Sequence, residues 1–313
     1  MNNEMVSVTF LVLCYNQAEF IDECVKGALA QDYPVAEFVF SDDASSDGTY
    51  QKLCSAVARY GHDRPVTVRR NPVNMGLIPH FNLMMSMAQG ELVVLAAGDD
   101  ISFPERVSTL VARYLSAGKP ALLCSNVAAI DHAGHAANYE PPGGEFCAAL
   151  SVREAALSKF IYLGASGALS RSLWANYGDI HYAHAYEDLV LGFRALLDNS
   201  LEFIDQPLLY YRLGVGISTL PDPLGADRQE LIAGRLKEIR LRHDVLAQRL
   251  RDVRHSNQRL PAVVGLLNKR VTRLAVRVNF YSARWKLFFD LFRRPAAFWS
   301  GIKREFRYLR DLT

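Results

Sequence analysis

Short apolar runs that stop abruptly at polar clusters, each followed by a helical stretch, constrain this chain more than any other feature. Val6 to Leu13 runs into Tyr15 and Asn16, Phe38 to Phe40 runs into Asp42 and Asp43, and Leu92 to Ala97 ends on Gly98, Asp99 and Asp100. Between them, Ala18 to Ala30, the segment through Tyr50, Leu53, Val57 and Tyr60, and Phe81 to Met87 carry helical spacing. Val66 to Arg69 and Leu122 to Ile130 add strands, "YEDLVLGFRALLD" reads as an amphipathic helix, and Glu202 to Tyr211 as a last strand region. Strands alternating with helices predict an α/β fold, a mostly parallel Rossmann-like sheet flanked by helices with right-handed crossovers. Open sheets of this kind bind ligands beyond the carboxyl ends of their strands, which is where the three polar clusters fall.

The chain has 313 residues, half of them apolar, enough for a sizeable core but near the upper limit for a single one. One catalytic-size domain with an appendage is therefore expected. No apolar run approaches the ~18 residues of a membrane span, and the first apolar stretch reads as a strand rather than a leader. The five cysteines are widely spaced with no C-x-x-C pair, which fits packing thiols in a reducing, cytoplasmic setting. Charge is unevenly spread: residues 1–225 hold 14 basic and 25 acidic side chains, residues 226–313 hold 21 and 8. The two parts are thus expected to meet different partners.

Asp99 and Asp100 pose the sharpest chemical question. Adjacent carboxylates at the end of a buried strand repel each other and are costly to desolvate. Helix capping accounts for Ser45, Ser46 and Asp47, but fits Asp99 and Asp100 poorly because the next helix start is marked by Pro104. A divalent cation between or beside them would offset the repulsion, and Mg²⁺ and Mn²⁺ commonly bridge carboxylates to phosphates. Glu187 and Asp188 open a helix, where acidic residues also complement the helix dipole without any further role. His181 with His184 and His132 with His135 lack the second pair that a zinc site needs.

Four segments, "FLVLCYNQAEFIDECVKGALAQDYP", "FVFSDDASSDGT", "NPVNMGLIPHFN" and "AQGELVVLAAGDDISFPERV", together resemble the family 2 inverting glycosyltransferases of the GT-A fold over about residues 5–215. The resemblance implies that a nucleotide-sugar donor lies across the strand ends, its diphosphate held by Mn²⁺ or Mg²⁺. It further implies donor contacts from Tyr15, Asn16, Asp42, Asp43, Asn74, Gly76 and Asp100, with Asp99 as the metal ligand. The family's common D-x-D-D element is here Ala97-Gly98-Asp99-Asp100, so its first carboxylate is missing. "YEDL" resembles the family's E-D motif, which makes Asp188 the base that deprotonates the acceptor hydroxyl. Glu187 and His184 would then support the acceptor, a glycan that is lipid-linked or a surface-polysaccharide precursor.

The expected division is a GT-A domain over 1–225 and a basic amphipathic helical tail over 226–313. The tail mixes Lys and Arg with Trp and Phe, which suits an anionic membrane surface. Packing of the helices on the catalytic part or on a partner subunit is the competing reading, and no nucleic-acid motif accompanies the charge. Processive synthases of this superfamily carry a Q-x-x-R-W element, whereas here Tyr281 stands where the Gln would be before Arg284 and Trp285. Single-sugar transfer by an enzyme peripheral to the inner face of the cytoplasmic membrane is the resulting expectation. A catalytically silent sugar-nucleotide binding module and a nucleotidyltransferase are the alternatives. The latter would need a glycine-rich basic phosphate loop where this chain has "CYNQAEF".

Overall fold

The computed structural model describes residues 5–215 and 227–311. In chain order the elements are β1 (Val8–Cys14), α1 (Ile21–Leu29), β2 (Glu37–Asp42), α2 (Thr49–Tyr60), β3 (Val66–Arg70), α3 (Leu77–Met87), β4 (Leu92–Ala97), β5 (Ile101–Ser102), α4 (Arg106–Ser116) and β6 (Leu122–Ile130). They continue with α5 (Gly144–Ala149), α6 (Val152–Ala155), β7 (Ala168–Ser170), α7 (Arg171–Tyr177), α8 (Glu187–Leu197) and β8 (Leu201–Arg212). Four helices close the chain: α9 (Arg228–His255), α10 (Pro261–Ser282), α11 (Lys286–Arg293) and α12 (Pro295–Arg310).

One eight-stranded sheet runs in the order β3-β2-β1-β4-β7-β6-β8-β5. The β3-β2-β1-β4 block and the β6-β8 pair are parallel, whereas β7 is antiparallel to both neighbours and β5 to β8. The central strands read as continuous apolar runs because helices cover both faces of the sheet. Their side chains alternate accordingly. Phe10, Val12, Phe38, Phe40 and Val94 pack with Ile21 and Val25 of α1, Leu53 of α2 and Leu110 of α4. Leu11, Val39, Val93 and Leu95 face the opposite way, toward Phe81 and Met84 of α3 and the α8–α10 layer. Since β1, β2 and β4 are parallel neighbours, their carboxyl ends lie together, and the Tyr15, Asp43 and Asp99 neighbourhoods converge on one edge.

Two strands and one helix start differ from the sequence expectation. β7 has only three residues, too few to display a period of two. β5 is a two-residue pairing with β8 that depends on a distant partner. Helix α3 begins at Leu77 instead of Phe81, since Pro79 lies in its first turn, where the missing N–H has no intrahelical partner to lose.

The C-terminal helices are not laid loosely on the sheet domain. Ile239, Val245, Leu246, Leu250 and Val253 of α9, with Val263, Leu267 and Leu274 of α10, join the same apolar cluster as α8. Arg194 of α8 and Asp252 of α9 form an ion pair at 3.0 Å in which both side chains are buried. The expected division at 225/226 falls in a stretch outside the described residues. Helices α11 and α12 differ from α9 and α10: they leave Trp285, Phe288, Phe289, Phe292, Trp299 and Phe306 exposed. Among the described residues no helix is long and apolar enough to cross a membrane.

Candidate active site

The strand ends open into a cleft of about 540 Å³. Tyr15, Gln17, Asp43, Asp99 and Asp100, from the loops after the strands, line it together with Gly164, Tyr186, Glu187 and Asp188. The cleft thereby brings together the carboxylates of β4 and those of α8, which lie 87 or more positions apart in sequence. Asn74 and Gly76 also line it, whereas Asn16, Asp42 and His184 do not.

Local hydrogen bonding explains this sorting. Asp43 accepts from the Asn71 side chain at 2.6 Å and from the backbone N–H groups of Met75 and Gly76, both at 2.9 Å. Those bonds hold the Asn71–Gly76 loop against the cleft, and Asn74 tightens it by accepting from the Gly76 N–H at 2.8 Å. Gly76 has a φ of +79°, a conformation glycine adopts without a Cβ penalty. Asp42 points away: it accepts from the Ser45 N–H at 3.0 Å and pairs with Arg70 at 3.2 Å. Asn16 spends its side chain on the Ser46 N–H at 3.0 Å. The His184 ring meets Asp244 of α9 at 2.9 Å and is largely exposed.

Asp99 and Asp100 are both nearly fully buried. The Gln17 amide donates to Asp99 at 2.8 Å, and the Arg212 N–H donates to Asp100 at 3.0 Å. Burial pushes the Asp99 carboxyl above the usual carboxylate range. Asp100 is pushed further, by burial first and then by the Asp99 charge. The second Asp100 oxygen, Oδ2, is buried and has no hydrogen-bond partner among the described residues. An orphaned buried oxygen beside a second destabilised carboxylate is the environment that a bound cation relieves, so this pair fits a divalent metal. Ala97 stands at the usual first carboxylate, and the glycine after it has a local reason. A Cβ at Gly98 would lie 2.5 Å from Gln17 Oε1 and 3.1 Å from Cys14 Sγ. Gly98 makes the room through which Gln17 reaches Asp99.

Burial also raises both members of the second pair lining the cleft, Glu187 to about 8 and Asp188 to about 6. Glu187 also feels the Asp188 charge. Asp188 stays lower because its anion accepts the Leu189 N–H at 2.6 Å and feels the Arg249 cation. At neutral pH this leaves one carboxylate able to accept a proton beside one carboxylic acid able to donate a hydrogen bond, the separation that acid–base sites use. Gly164 underlies both: a Cβ there would come within 3.0 Å of Glu187 Oε1 and 3.3 Å of Asp188 Cβ.

Comparison with known proteins supplies the family. Residues 9–162 match the family model described as Glycosyl transferase family 2. The chain carries a family 2 glycosyltransferase domain. Among curated relatives, the putative glycosyltransferase EpsE of Bacillus subtilis is 33% identical over 110 residues, 35% of this chain and 39% of that protein. Abequosyltransferase RfbV of Salmonella typhimurium is 29% identical over 119 residues, 37% of this chain and 35% of that protein. The matches thus span under two fifths of either relative's length. Among solved structures, S. aureus TarS (residues 1–349) in complex with UDP-GlcNAc has a TM-score of 0.58 at 17% identity, covering 90% of this chain and 75% of that one. The mannosyltransferase PcManGT of Pyrobaculum calidifontis, in complex with GDP-Man and Mn²⁺, has a TM-score of 0.53 at 16% identity, covering 98% and 81%. The fold of the glycosyltransferase domain is GT-A.

Three residues that support the site have no role assigned from sequence. Gln17 bridges the first loop to Asp99. Arg212, at the end of β8, donates to the backbone oxygens of Asp99, Asp131 and His132 at 3.2, 3.1 and 2.9 Å and pairs with Glu23 at 2.8 Å. Arg249, in what the sequence presents as the basic tail, donates to Leu189 O at 2.7 and 3.0 Å and to Ala155 O and Ser158 O at 2.8 and 2.9 Å. It fixes the start of α8 from behind.

Proposed function

We propose that the chain transfers one sugar, with inversion, from a nucleotide-sugar to a hydroxyl of a glycan acceptor that is lipid-linked or a surface-polysaccharide precursor. The observation that carries this reading is the cleft that Asp99 and Asp100 line together with Glu187 and Asp188. Sugar transfer needs negative charge stabilised on the departing diphosphate, which one carboxylate pair would serve only by holding a cation, and a proton removed from the acceptor, which the other pair serves directly as a base.

In this reading Asp99, with Asp100 beside it, holds Mn²⁺ or Mg²⁺. No three His, Cys, Asp or Glu side chains converge as a metal site among the described residues. The remaining ligands of a six-coordinate cation are therefore assigned to diphosphate oxygens and water. When bound, the cation supplies electrostatic stabilisation to the leaving diphosphate. Tyr15, Asp43 and the Asn74–Gly76 turn form the donor side. Asp42 and Asn16 act there indirectly, by shaping the loops through Arg70, Ser45 and Ser46. Asp188 accepts the acceptor proton as the new bond forms on the sugar face opposite the diphosphate, and Glu187, protonated, hydrogen-bonds the acceptor. His184 lies outside the cleft lining, so its acceptor role is confined to the rim. The donors bound in the structural neighbours, UDP-GlcNAc in TarS and GDP-Man in PcManGT, and the relatives EpsE and abequosyltransferase support this substrate class. Exposed aromatics on α11 and α12 among basic residues support peripheral contact with an anionic membrane.

The direct test is Asp188→Asn, which keeps the shape and removes the base. Sugar transfer should fall by on the order of 10²–10⁴-fold while donor affinity is retained. Near-normal transfer by Asp188→Asn alongside an inactive Glu187→Gln would assign the base to the neighbour.

A further inference from the structure

A second cavity, of about 230 Å³, lies between α9, α10 and α12, outside the catalytic cleft. That is several times the ~30 Å³ a water occupies in the liquid. Six cationic side chains line it: Lys159, Arg242, Arg270, Arg273, Arg277 and Arg304, with Glu238 the one acidic side chain. Glu238 is already engaged by Arg235 at 2.9 Å, and Arg277 is already paired with the buried Glu305. Among the described residues, the side chains of Lys159, Arg270, Arg273 and Arg304 form no hydrogen bond or ion pair. Arg270, Arg273 and Arg277 recur at i, i+3 and i+7, so they stand on one face of α10 and repel one another.

The repulsion is built in by backbone approach. A Cβ at Gly301 would meet Val276 Cγ1 at 3.2 Å and Arg277 Cγ at 3.3 Å, so the glycine lets α12 lie close on α10 and brings Arg304 to the cavity. Arg242 is held below the usual guanidinium range, by burial first and also by the Arg270 and Arg304 charges. A folded chain that concentrates cations around a solvent-accessible cavity, with Lys159, Arg270 and Arg304 exposed at its rim, is stabilised by an anion there. Guanidinium groups in such number match the several acceptor oxygens of a phosphate.

We propose that this cavity is a phosphate-binding site, occupied by the phosphate of a soluble phosphorylated ligand or of a lipid headgroup. The site stands apart from the sugar-transfer reading and does not depend on it. Its neighbourhood connects the two, since Lys159 lines this cavity and the adjacent Phe160 lines the catalytic cleft.

The test measures thermal unfolding of the full chain in excess chelator, with sodium phosphate or pyrophosphate against sodium chloride at equal ionic strength. Chelator leaves the cleft's carboxylates without a cation to recruit phosphate. The midpoint should rise in phosphate and not in chloride. The triple substitution Arg270→Gln, Arg273→Gln, Arg304→Gln should lose that rise, and without phosphate should unfold at or above the wild-type temperature because repulsion is removed. Arg273→Gln alone, the milder change, should weaken phosphate affinity by about 10-fold or more, the value of a charge-assisted contact. Co-sedimentation with phosphatidylglycerol and with phosphatidylcholine vesicles separates the sources. Vesicle binding that free phosphate displaces and the triple variant lacks identifies a headgroup. A phosphate shift without phosphate-sensitive vesicle binding identifies a soluble ligand. Absence of a phosphate-specific shift in the wild type, or a shift in the triple variant equal to that of the wild type, overturns the proposal.

Discussion

Arg249→Met tests whether α9 is part of the catalytic unit. Arg249 is fully buried, and its guanidinium, pushed down to about 9 by burial, remains a cation at neutral pH. Methionine keeps much of the side-chain volume and removes the four donated bonds to Leu189, Ala155 and Ser158. Ala155 O keeps its bond from the Ser158 N–H at 3.1 Å, so the largest loss falls on Ser158 O. Charge-assisted bonds of this kind are worth ~1.5–3 kcal/mol each but are not additive at one centre, which gives a net destabilisation of about 2–4 kcal/mol. That is a large part of a typical ~5–15 kcal/mol total. A second effect is electrostatic. The Arg249 cation favours ionised Asp188, so its loss should raise the Asp188 carboxyl above about 6 and move the acid limb of the pH–rate profile to higher pH. Urea unfolding followed by circular dichroism measures the first effect, and initial transfer rates from pH 5 to 8 measure the second. A variant that unfolds at the wild-type urea midpoint and keeps the wild-type acid limb would refute the assignment.

Gly98→Ala should weaken Mn²⁺ affinity and cost about 1–3 kcal/mol, because the new Cβ displaces the Gln17 amide that donates to Asp99; Mn²⁺ titration by paramagnetic resonance and thermal unfolding check it. Glu187→Gln should stabilise the fold increasingly as pH rises from 5 to 8. Glu187 has its folded pKa raised to about 8, so its contribution to stability is present below its unfolded pKa and is lost as pH climbs through 8, a loss the amide avoids. Unfolding midpoints of both proteins at pH 5, 6.5 and 8 decide it, and a constant difference would exclude the raised pKa.

The sheet was legible where the chain shows long, one-sided patterns. Leu92–Ala97 is read end to end because it is a continuous apolar run bounded by polar residues, and Leu122–Ile130 because apolar residues flank Ser125 and Asn126 on both sides. β7 was not legible, because its identity lies in pairing with β4 and β6 rather than in its own three residues. Asp99 and Asp100 stood out because adjacent carboxylates at a strand end demand an explanation, whereas Glu187 and Asp188, ordinary at a helix start, were singled out by the family resemblance alone. The residues that hold them did not. Gln17 follows Tyr15 and Asn16 in the first motif segment without a role of its own, Arg212 sits in no motif, and Arg249 is one of many arginines in a tail that counts as +13 in formal charge. Composition cannot distinguish a solvated arginine from one whose donors are consumed by buried carbonyls. That distinction depends on α9 packing against α8, a contact about 60 residues apart in sequence.

The central claim, that the Asp99–Asp100 end of the cleft recruits a divalent cation for departure of a nucleoside diphosphate, is tested most directly by measuring diphosphate release. The purified protein is incubated with a panel of UDP-, GDP-, CDP- and TDP-sugars, with Mn²⁺ or with excess chelator, beside Asp99→Ala. The account predicts that one donor class gives release that needs Mn²⁺ or Mg²⁺ and falls at least ~10²-fold in Asp99→Ala, a variant that should stay folded because a desolvated carboxylate has been removed. Full turnover in excess chelator, or wild-type release by folded Asp99→Ala, would contradict it.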